Sequence, residues 1–227
     1  AHQMTTRRRG LNAANTVTVS RVMLTPVFLF VLLSDWPSWI AAPGWVATFK
    51  PVLAAAIFTL LAATDGVDGY LARTRNEVTT FGKFIDPLAD KLLVTAALLA
   101  LIELDVLPAW IALTIISREF IVSGLRMVAS AEGTVIAASW YGKIKTVLQI
   151  VAIVMFIVKD SALLGATDSP FVVFIQVASW TVMGAAVAMT VASMVDYFRH
   201  AADVLEGPWT GVSLATRTRE HEDETTD

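Results

Sequence analysis

The sequence lacks cysteine and contains only three histidines, His2, His200 and His221, which lie near its two ends. The absence of cysteine excludes disulfides, zinc ribbons and thiol catalysis. Because no histidines are paired at metal-binding spacing, any metal ion must be held by oxygen ligands, which suit Mg²⁺ or Mn²⁺. Charged residues make up 16% of the chain and the formal net charge is −3, so the composition predicts no nucleic-acid partner.

Hydrophobic residues are abundant and lie in long runs. They make up 56% of the 227 residues, against about 45–50% in soluble domains. A helix needs about 20 mostly apolar residues to cross a bilayer. The sequence therefore predicts an all-α, polytopic membrane protein with six transmembrane helices, at residues 16–33, 52–72, 84–104, 109–129, 141–158 and 171–197. Helix-breaking residues separate these runs, among them Pro37, Pro43 and Pro108.

The basic residues predict the orientation, because short cytoplasmic loops are enriched in Lys and Arg. Basic residues precede the first span and flank every second loop, whereas the alternate loops offer only Lys50 and Lys159. Both termini are therefore expected in the cytoplasm. Four tryptophans fit an aromatic belt on the outer side: Trp36, Trp39, Trp45 and Trp110.

The chain is expected to form one membrane domain over residues 1–205. Residues 206–227 are polar and acidic. Such a composition cannot bury enough apolar surface to fold, so a disordered cytoplasmic tail is predicted there.

Four aspartates flank the loop between the second and third spans. Asp65 and Asp68 are three residues apart, and Asp86 and Asp90 are four apart, so each pair shares one helical face. The short loop makes the two helices antiparallel neighbours, which would bring the carboxylates to one depth. Solvated loop acids are the plain alternative, but charged groups in spanning segments are costly and usually paired or functional.

Such carboxylates would repel one another and take up protons unless a cation neutralised them. Two metal ions about 3.5–4 Å apart suit displacement at phosphorus. Four membrane acids would also permit an ion transporter with an acidic relay. A cation pathway, however, does not require the glycine and arginine residues that lie at fixed spacing from these acids.

The segment Asp-x2-Asp-Gly-x2-Ala-Arg-x8-Gly-x3-Asp-x3-Asp resembles the signature of the CDP-alcohol phosphatidyltransferases. The residues at its fixed positions are Asp65, Asp68, Gly69, Ala72, Arg73, Gly82, Asp86 and Asp90. The resemblance implies six spans, a site facing the cytoplasm, location in the cell membrane (a bacterial inner or plasma membrane) and a homodimer.

The resemblance also implies roles for these residues. It assigns Asp65, Asp68, Asp86 and Asp90 to the metal site, with two Mg²⁺ or Mn²⁺ ions, and makes Asp90 the general base as well. It places the CDP moiety of the lipid substrate against five residues of the loop region: Gly69, Ala72, Arg73, Thr79 and Gly82.

Basic residues of the fourth and fifth spans predict a pocket for a phosphorylated acceptor. The guanidinium group of arginine can donate two parallel hydrogen bonds to phosphate oxygens. The candidate residues are Arg118, Arg126, Lys143 and Lys145. The structural alternative for the arginines is an ion pair of Glu119 with Arg118 or Arg126. For either lysine, the alternative is the general enrichment of basic residues at the cytoplasmic ends of spanning helices. On one helix the two lysines would point about 200° apart, so we expect only one of them to reach the pocket.

The strings 117–126 and 139–146, with Asn15-x2-Thr18-x2-Arg21-x4-Pro26, are similar to the family members that use sn-glycerol 3-phosphate. This resemblance implies transfer of a phosphatidyl group from CDP-diacylglycerol to that acceptor, with release of CMP. Family members with other acceptors (inositol phosphate, serine or phosphatidylglycerol) are the alternatives, and a basic pocket argues against serine.

Overall fold

The computed structural model describes residues 13–35, 43–75, 80–131, 140–161, 164 and 169–204. Within these ranges the regular structure is helical, with no β-strand, which confirms the all-α prediction for this part of the chain. The helices are α1 (Ala13–Leu33), α2 (Pro43–Arg75), α3 (Thr80–Glu103), α4 (Ala109–Ala131), α5 (Trp140–Val158) and α6 (Pro170–Val204). The predicted tail at 206–227 lies outside the described residues.

Each helix contains one of the predicted spans, apart from Leu104, which lies in the turn after α3. Pro43 lies between the first two apolar runs and is the first residue of α2, which therefore begins nine residues before the predicted span. Proline suits the first turn of a helix, where its fixed φ is already helical and its missing N–H is not needed. Lys50 therefore lies in α2 rather than in a loop, and its Nζ donates a hydrogen bond of 2.8 Å to the Ser34 carbonyl.

The helices pack around one apolar core. α1 packs on α2 and α3, α5 packs on α2 and α6, and α4 packs chiefly on α6. Phe28 of α1 and Phe58 of α2 are fully buried, and their ring centroids lie 5.7 Å apart. On the other side of the core, Phe156 of α5 meets Trp180 of α6 edge to face at 5.0 Å. α5 therefore lies between α2 and α6 and is well placed to present side chains to the interior.

The outer surface is far more apolar than that of a soluble protein. Large apolar side chains are 65–70% exposed on the outer surface, namely Met23, Phe30, Leu60, Leu113, Met127 and Phe174. Charged and polar side chains are buried inside: Arg21, Arg118, Lys145, Gln149, Thr190 and Ser193. Apolar surface on this scale indicates contact with another apolar phase. The fold therefore suits a bilayer.

Two segments of the described chain are long and apolar enough to cross a membrane, Gly44–Thr64 in α2 and Pro170–Arg199 in α6. Shorter apolar stretches occur at Val19–Leu33 and Ile144–Val158. Trp45 and Trp110, near the starts of α2 and α4, are 63% and 64% exposed, as residues of an aromatic belt would be.

Three buried hydroxyl groups bond within their own helices. Thr25 Oγ1 donates to the Arg21 carbonyl, and Ser179 and Thr190 donate to carbonyls one turn earlier in α6. Such bonds satisfy the hydroxyl where no water is present. The Ser193 hydroxyl instead accepts a hydrogen bond from another helix.

Candidate active site

The four aspartates lie on helical backbone. Asp65 and Asp68 precede the end of α2, while Asp86 and Asp90 follow the start of α3. α2 and α3 pack on each other, and each pair lies a few turns from the ends that face the connection. The side chains of residues 65–90 lie outside those described, so their convergence stays a prediction. Among the described side chains, no group of three or more His, Asp or Glu residues could hold a metal ion.

The residues expected to contact the CDP moiety belong to the same region. Gly69, Ala72 and Arg73 lie in the last turns of α2, and Gly82 lies in the first turn of α3. Thr79 lies outside the described residues. Four of the five positions therefore lie on helical backbone, and in the sequence they fall between the two pairs of aspartates.

Arg118 of α4 points into the protein and is 8% exposed. Its Nη2 donates a hydrogen bond of 2.6 Å to Ser193 Oγ of α6, and its Nη1 lies 3.5 Å from Glu119 Oε1. Its Nε is buried and has no hydrogen-bond partner among the described residues. Arg118 therefore has a fixed position and one N–H group directed at no described acceptor.

Lys145 of α5 is 1% exposed, and its Nζ forms an ion pair with Glu119 Oε1. The same carboxylate oxygen therefore contacts both Arg118 and Lys145, cations from two helices. The side chain of Lys143 lies outside those described, so whether only one lysine reaches the pocket stays untested.

A small cavity, partly open to the outside, lies beside this ion pair. It is lined by residues of three helices: Lys91 and Val94 of α3, Glu119 of α4, and Thr146, Gln149 and Ile150 of α5. Lys91 directly follows Asp90 in the chain. The cavity therefore lies between the basic residues of α4 and α5 and the α3 segment that carries two of the aspartates.

Arg126 is exposed and does not contact Glu119 among the described interactions. Its guanidinium carbon lies 5.8 Å from the centroid of the Tyr197 ring of α6, within the range of a cation–π interaction. Of the two structural pairings considered for Glu119, the structure contains the one with Arg118 and places Arg126 against an aromatic ring instead.

The sequence matches a known protein family over most of its length. The sequence profile described as CDP-alcohol phosphatidyltransferase matches residues 11–192. The chain belongs to the CDP-alcohol phosphatidyltransferase family. The resemblance carried by the aspartate signature is thereby confirmed, and so is the expectation that the chain is an enzyme of this type.

Two relatives of this phosphatidyltransferase extend over most of its length. A Bacillus subtilis (strain 168) protein named CDP-diacylglycerol–glycerol-3-phosphate 3-phosphatidyltransferase is 43% identical over 193 residues, covering 82% of this chain and 93% of the relative. A protein of the same name from Escherichia coli (strain K12) is 33% identical over 201 residues, covering 86% of this chain and 98% of the relative.

The sequence of this phosphatidyltransferase did not reveal every polar residue near the cavity or near Arg118. Lys91 adjoins Asp90 in the signature, and Gln149 interrupts the apolar run of α5, so both carried a visible signal. Ser193 and Tyr197 did not, because a lone Ser or Tyr near the end of an apolar helix is ordinary. Both lie beyond residue 192, where the family match ends.

Proposed function

We propose that this chain is a phosphatidylglycerophosphate synthase, which transfers the phosphatidyl group of CDP-diacylglycerol to sn-glycerol 3-phosphate and releases CMP. The similarity to the Bacillus subtilis enzyme, 43% over 193 residues, is the observation that carries this proposal. The buried cations Arg118 and Lys145 support it independently, because a phosphorylated acceptor needs positive charge at its binding site.

The donor is held by the acidic segments of α2 and α3. The family is generally dependent on divalent metal ions. Asp65, Asp68, Asp86 and Asp90 would hold two Mg²⁺ or Mn²⁺ ions, since a set of carboxylates on two packed helices matches the oxygen preference of these metals. When bound, the metal neutralises negative charge on the diphosphate. Gly69, Ala72, Arg73, Thr79 and Gly82 would contact the CDP moiety.

Asp90 acts as the general base. It accepts the proton of the acceptor hydroxyl, and the acceptor oxygen forms a bond to the β-phosphorus of CDP-diacylglycerol. The bond between that phosphorus and the bridging oxygen breaks, and its electron pair leaves with CMP. A carboxylate is suited to this role because no histidine lies in α2, α3, α4 or α5, and a crowded site can tune its pKa.

The acceptor phosphate is held by basic residues of α4 and α5. Arg118, Arg126, Lys143 and Lys145 are the proposed contacts, and the cavity beside Glu119 lies next to the Lys145 ion pair. Arg118 Nε, which is buried without a described acceptor, suits a phosphate oxygen. Lys91 lies on the α3 side of the same cavity and adjoins the base, Asp90.

In the membrane, the six helices would all span the bilayer, with both termini and the active site on the cytoplasmic side. The exposed apolar surface supports this arrangement, and so does the concentration of Lys and Arg in alternate loops. Residues 1–205 would form the membrane domain and 206–227 an acidic cytoplasmic tail. A homodimer is the proposed assembly.

The test of this function is an acceptor comparison. Purified protein receives CDP-diacylglycerol and Mg²⁺ with sn-glycerol 3-phosphate, inositol phosphate, serine or phosphatidylglycerol, and CMP release is measured. We expect release with sn-glycerol 3-phosphate at a kcat/KM at least tenfold above that of any other acceptor. Release driven best by another acceptor would keep the family chemistry and replace the acceptor. Absence of CMP release with all four would contradict the transferase assignment and favour the ion-transport alternative.

A further inference from the structure

Helix α6 presents two polar residues to α4. Ser193 and Tyr197 are four residues apart and therefore lie on one face of the helix. Ser193 Oγ accepts the hydrogen bond of Arg118 Nη2, and the Tyr197 ring packs against Val122, one turn after Arg118. These contacts hold α6 against α4 between Arg118 and Val122. The family match ends at residue 192, before Ser193 and Tyr197.

Tyr197 lies between two arginines. The Arg126 guanidinium carbon is 5.8 Å from the centre of its ring. Val122, on which Tyr197 packs, lies midway along α4 between Arg118 and Arg126. The flat guanidinium group of Arg126 is attracted to the negative face of the ring. Tyr197 thus contacts the side chain of one proposed acceptor-binding arginine and neighbours the other.

The Tyr197 hydroxyl is buried without a hydrogen-bond partner among the described residues, and the whole residue is only 7% exposed. Arg118 Nε shares this property. Buried polar groups are nearly always hydrogen-bonded in native proteins, so two neighbouring exceptions require an explanation. Both groups are donors, and an oxyanion placed between the arginines would accept from both.

From this geometry we infer that Tyr197 is a further acceptor-binding residue, whose hydroxyl donates a hydrogen bond to the phosphate of a phosphomonoester while its ring holds Arg126 in place. The inference rests on the proposed function, because it takes the ligand to be the phosphorylated acceptor. Through this contact α6 takes part in the site together with α3, α4 and α5.

Tyr197→Phe isolates the hydroxyl, because it keeps the ring, the packing on Val122 and the cation–π contact with Arg126. Loss of a hydrogen bond to a charged phosphate should raise KM for sn-glycerol 3-phosphate about tenfold. The Ki of inorganic phosphate as a competitor of the acceptor should rise by a similar factor. KM for CDP-diacylglycerol should stay within twofold of wild type.

Ser179→Ala provides the matched control. It also removes one buried hydroxyl of α6, but this hydroxyl bonds to the Ile175 carbonyl several turns from the site. Both KM values should be unchanged in this variant. A Tyr197→Phe protein whose KM for sn-glycerol 3-phosphate stays within twofold of wild type would overturn the inference, whether or not its melting temperature falls.

A second measurement separates this inference from the proposed function. The melting temperature of the purified protein is recorded with and without inorganic phosphate, for wild type and for Tyr197→Phe. A smaller phosphate-induced rise in the variant supports the role of Tyr197, even if wild type releases no CMP with sn-glycerol 3-phosphate and the proposed function fails. Equal rises, or no rise in either protein, would contradict the role.

Discussion

Glu119 of α4 forms an ion pair with Lys145 of α5, and the carboxylate oxygen that makes it, Oε1, also lies 3.5 Å from Arg118 Nη1. Two cations proposed to bind the acceptor phosphate are thus arranged around one acidic side chain. In this position Glu119 keeps the cationic side chains close together before an anionic substrate arrives. It also joins α4 to α5 beside the cavity.

Glu119→Gln should therefore destabilise the protein. Removing one partner of a fully buried pair costs about 3–5 kcal/mol, but the Glu119 side chain is 20% exposed, so solvent reduces the effect. We expect a loss of about 2 kcal/mol, measured by thermal unfolding in detergent. The double variant Glu119→Gln, Lys145→Met should recover part of it.

Glu103→Gln is the control for that experiment, since this exposed glutamate is the last residue of α3, more than three turns beyond Lys91 at the cavity. It should leave the melting temperature unchanged. Equal melting temperatures for wild type and Glu119→Gln would show that the ion pair contributes nothing to stability.

Asp68→Asn should abolish turnover while the helical content and the melting temperature stay close to wild type. The amide keeps the shape of the side chain but loses the negative charge that a metal ligand needs. CMP release and circular dichroism measure the two effects. The control is Asp105→Asn in the exposed turn after α3, where φ is 57° and asparagine is as well tolerated as aspartate. Near-normal turnover by Asp68→Asn would refute the metal-site account.

Arg118→Ala should mainly raise KM for sn-glycerol 3-phosphate, by about tenfold to a hundredfold, because a charged hydrogen bond to phosphate is lost. KM for CDP-diacylglycerol should change little, since Arg118 lies on α4 rather than in the acidic segments. Steady-state kinetics with each substrate varied in turn measure both values. Arg199→Ala, at an exposed position of α6, should alter neither. A rise in KM for the lipid alone would assign Arg118 to the donor site.

Chelation of divalent metal ions should stop CMP release, and added Mg²⁺ or Mn²⁺ should restore it. The reason is that the predicted ligands are all carboxylates, which repel one another without a cation. Undiminished turnover in excess EDTA, after dialysis against the chelator, would exclude the metal-assisted reaction.

The positions of the helices were largely predictable, because apolar runs of the required length leave few alternatives. The ends of the helices were less predictable. α6 continues past Tyr197 to Val204, since Arg199, Ala201 and Ala202 favour a helix although the apolar run has ended. The second helix begins at Pro43, nine residues before the predicted span, because proline suits the first turn of a helix.

The candidate site was predictable where its residues are close in sequence. Fixed spacing along α2 and α3 located the aspartates. By contrast, the contacts of Arg118 with Ser193 and of Lys145 with Glu119 depend on the register between packed helices, which no local pattern encodes. Tyr197 was missed for the same reason, because its significance comes from the two arginines of α4 next to it.

In the proposed reaction the acceptor oxygen attacks the phosphatidyl phosphorus. The most direct measurement supplies sn-glycerol 3-phosphate labelled with ¹⁸O at its hydroxyl groups, with CDP-diacylglycerol and Mg²⁺, and analyses lipid and nucleotide products by mass spectrometry. We expect phosphatidylglycerol phosphate that retains the label, together with unlabelled CMP. Phosphatidic acid accompanied by a labelled cytidine nucleotide would show attack at the other phosphorus and refute the proposed reaction.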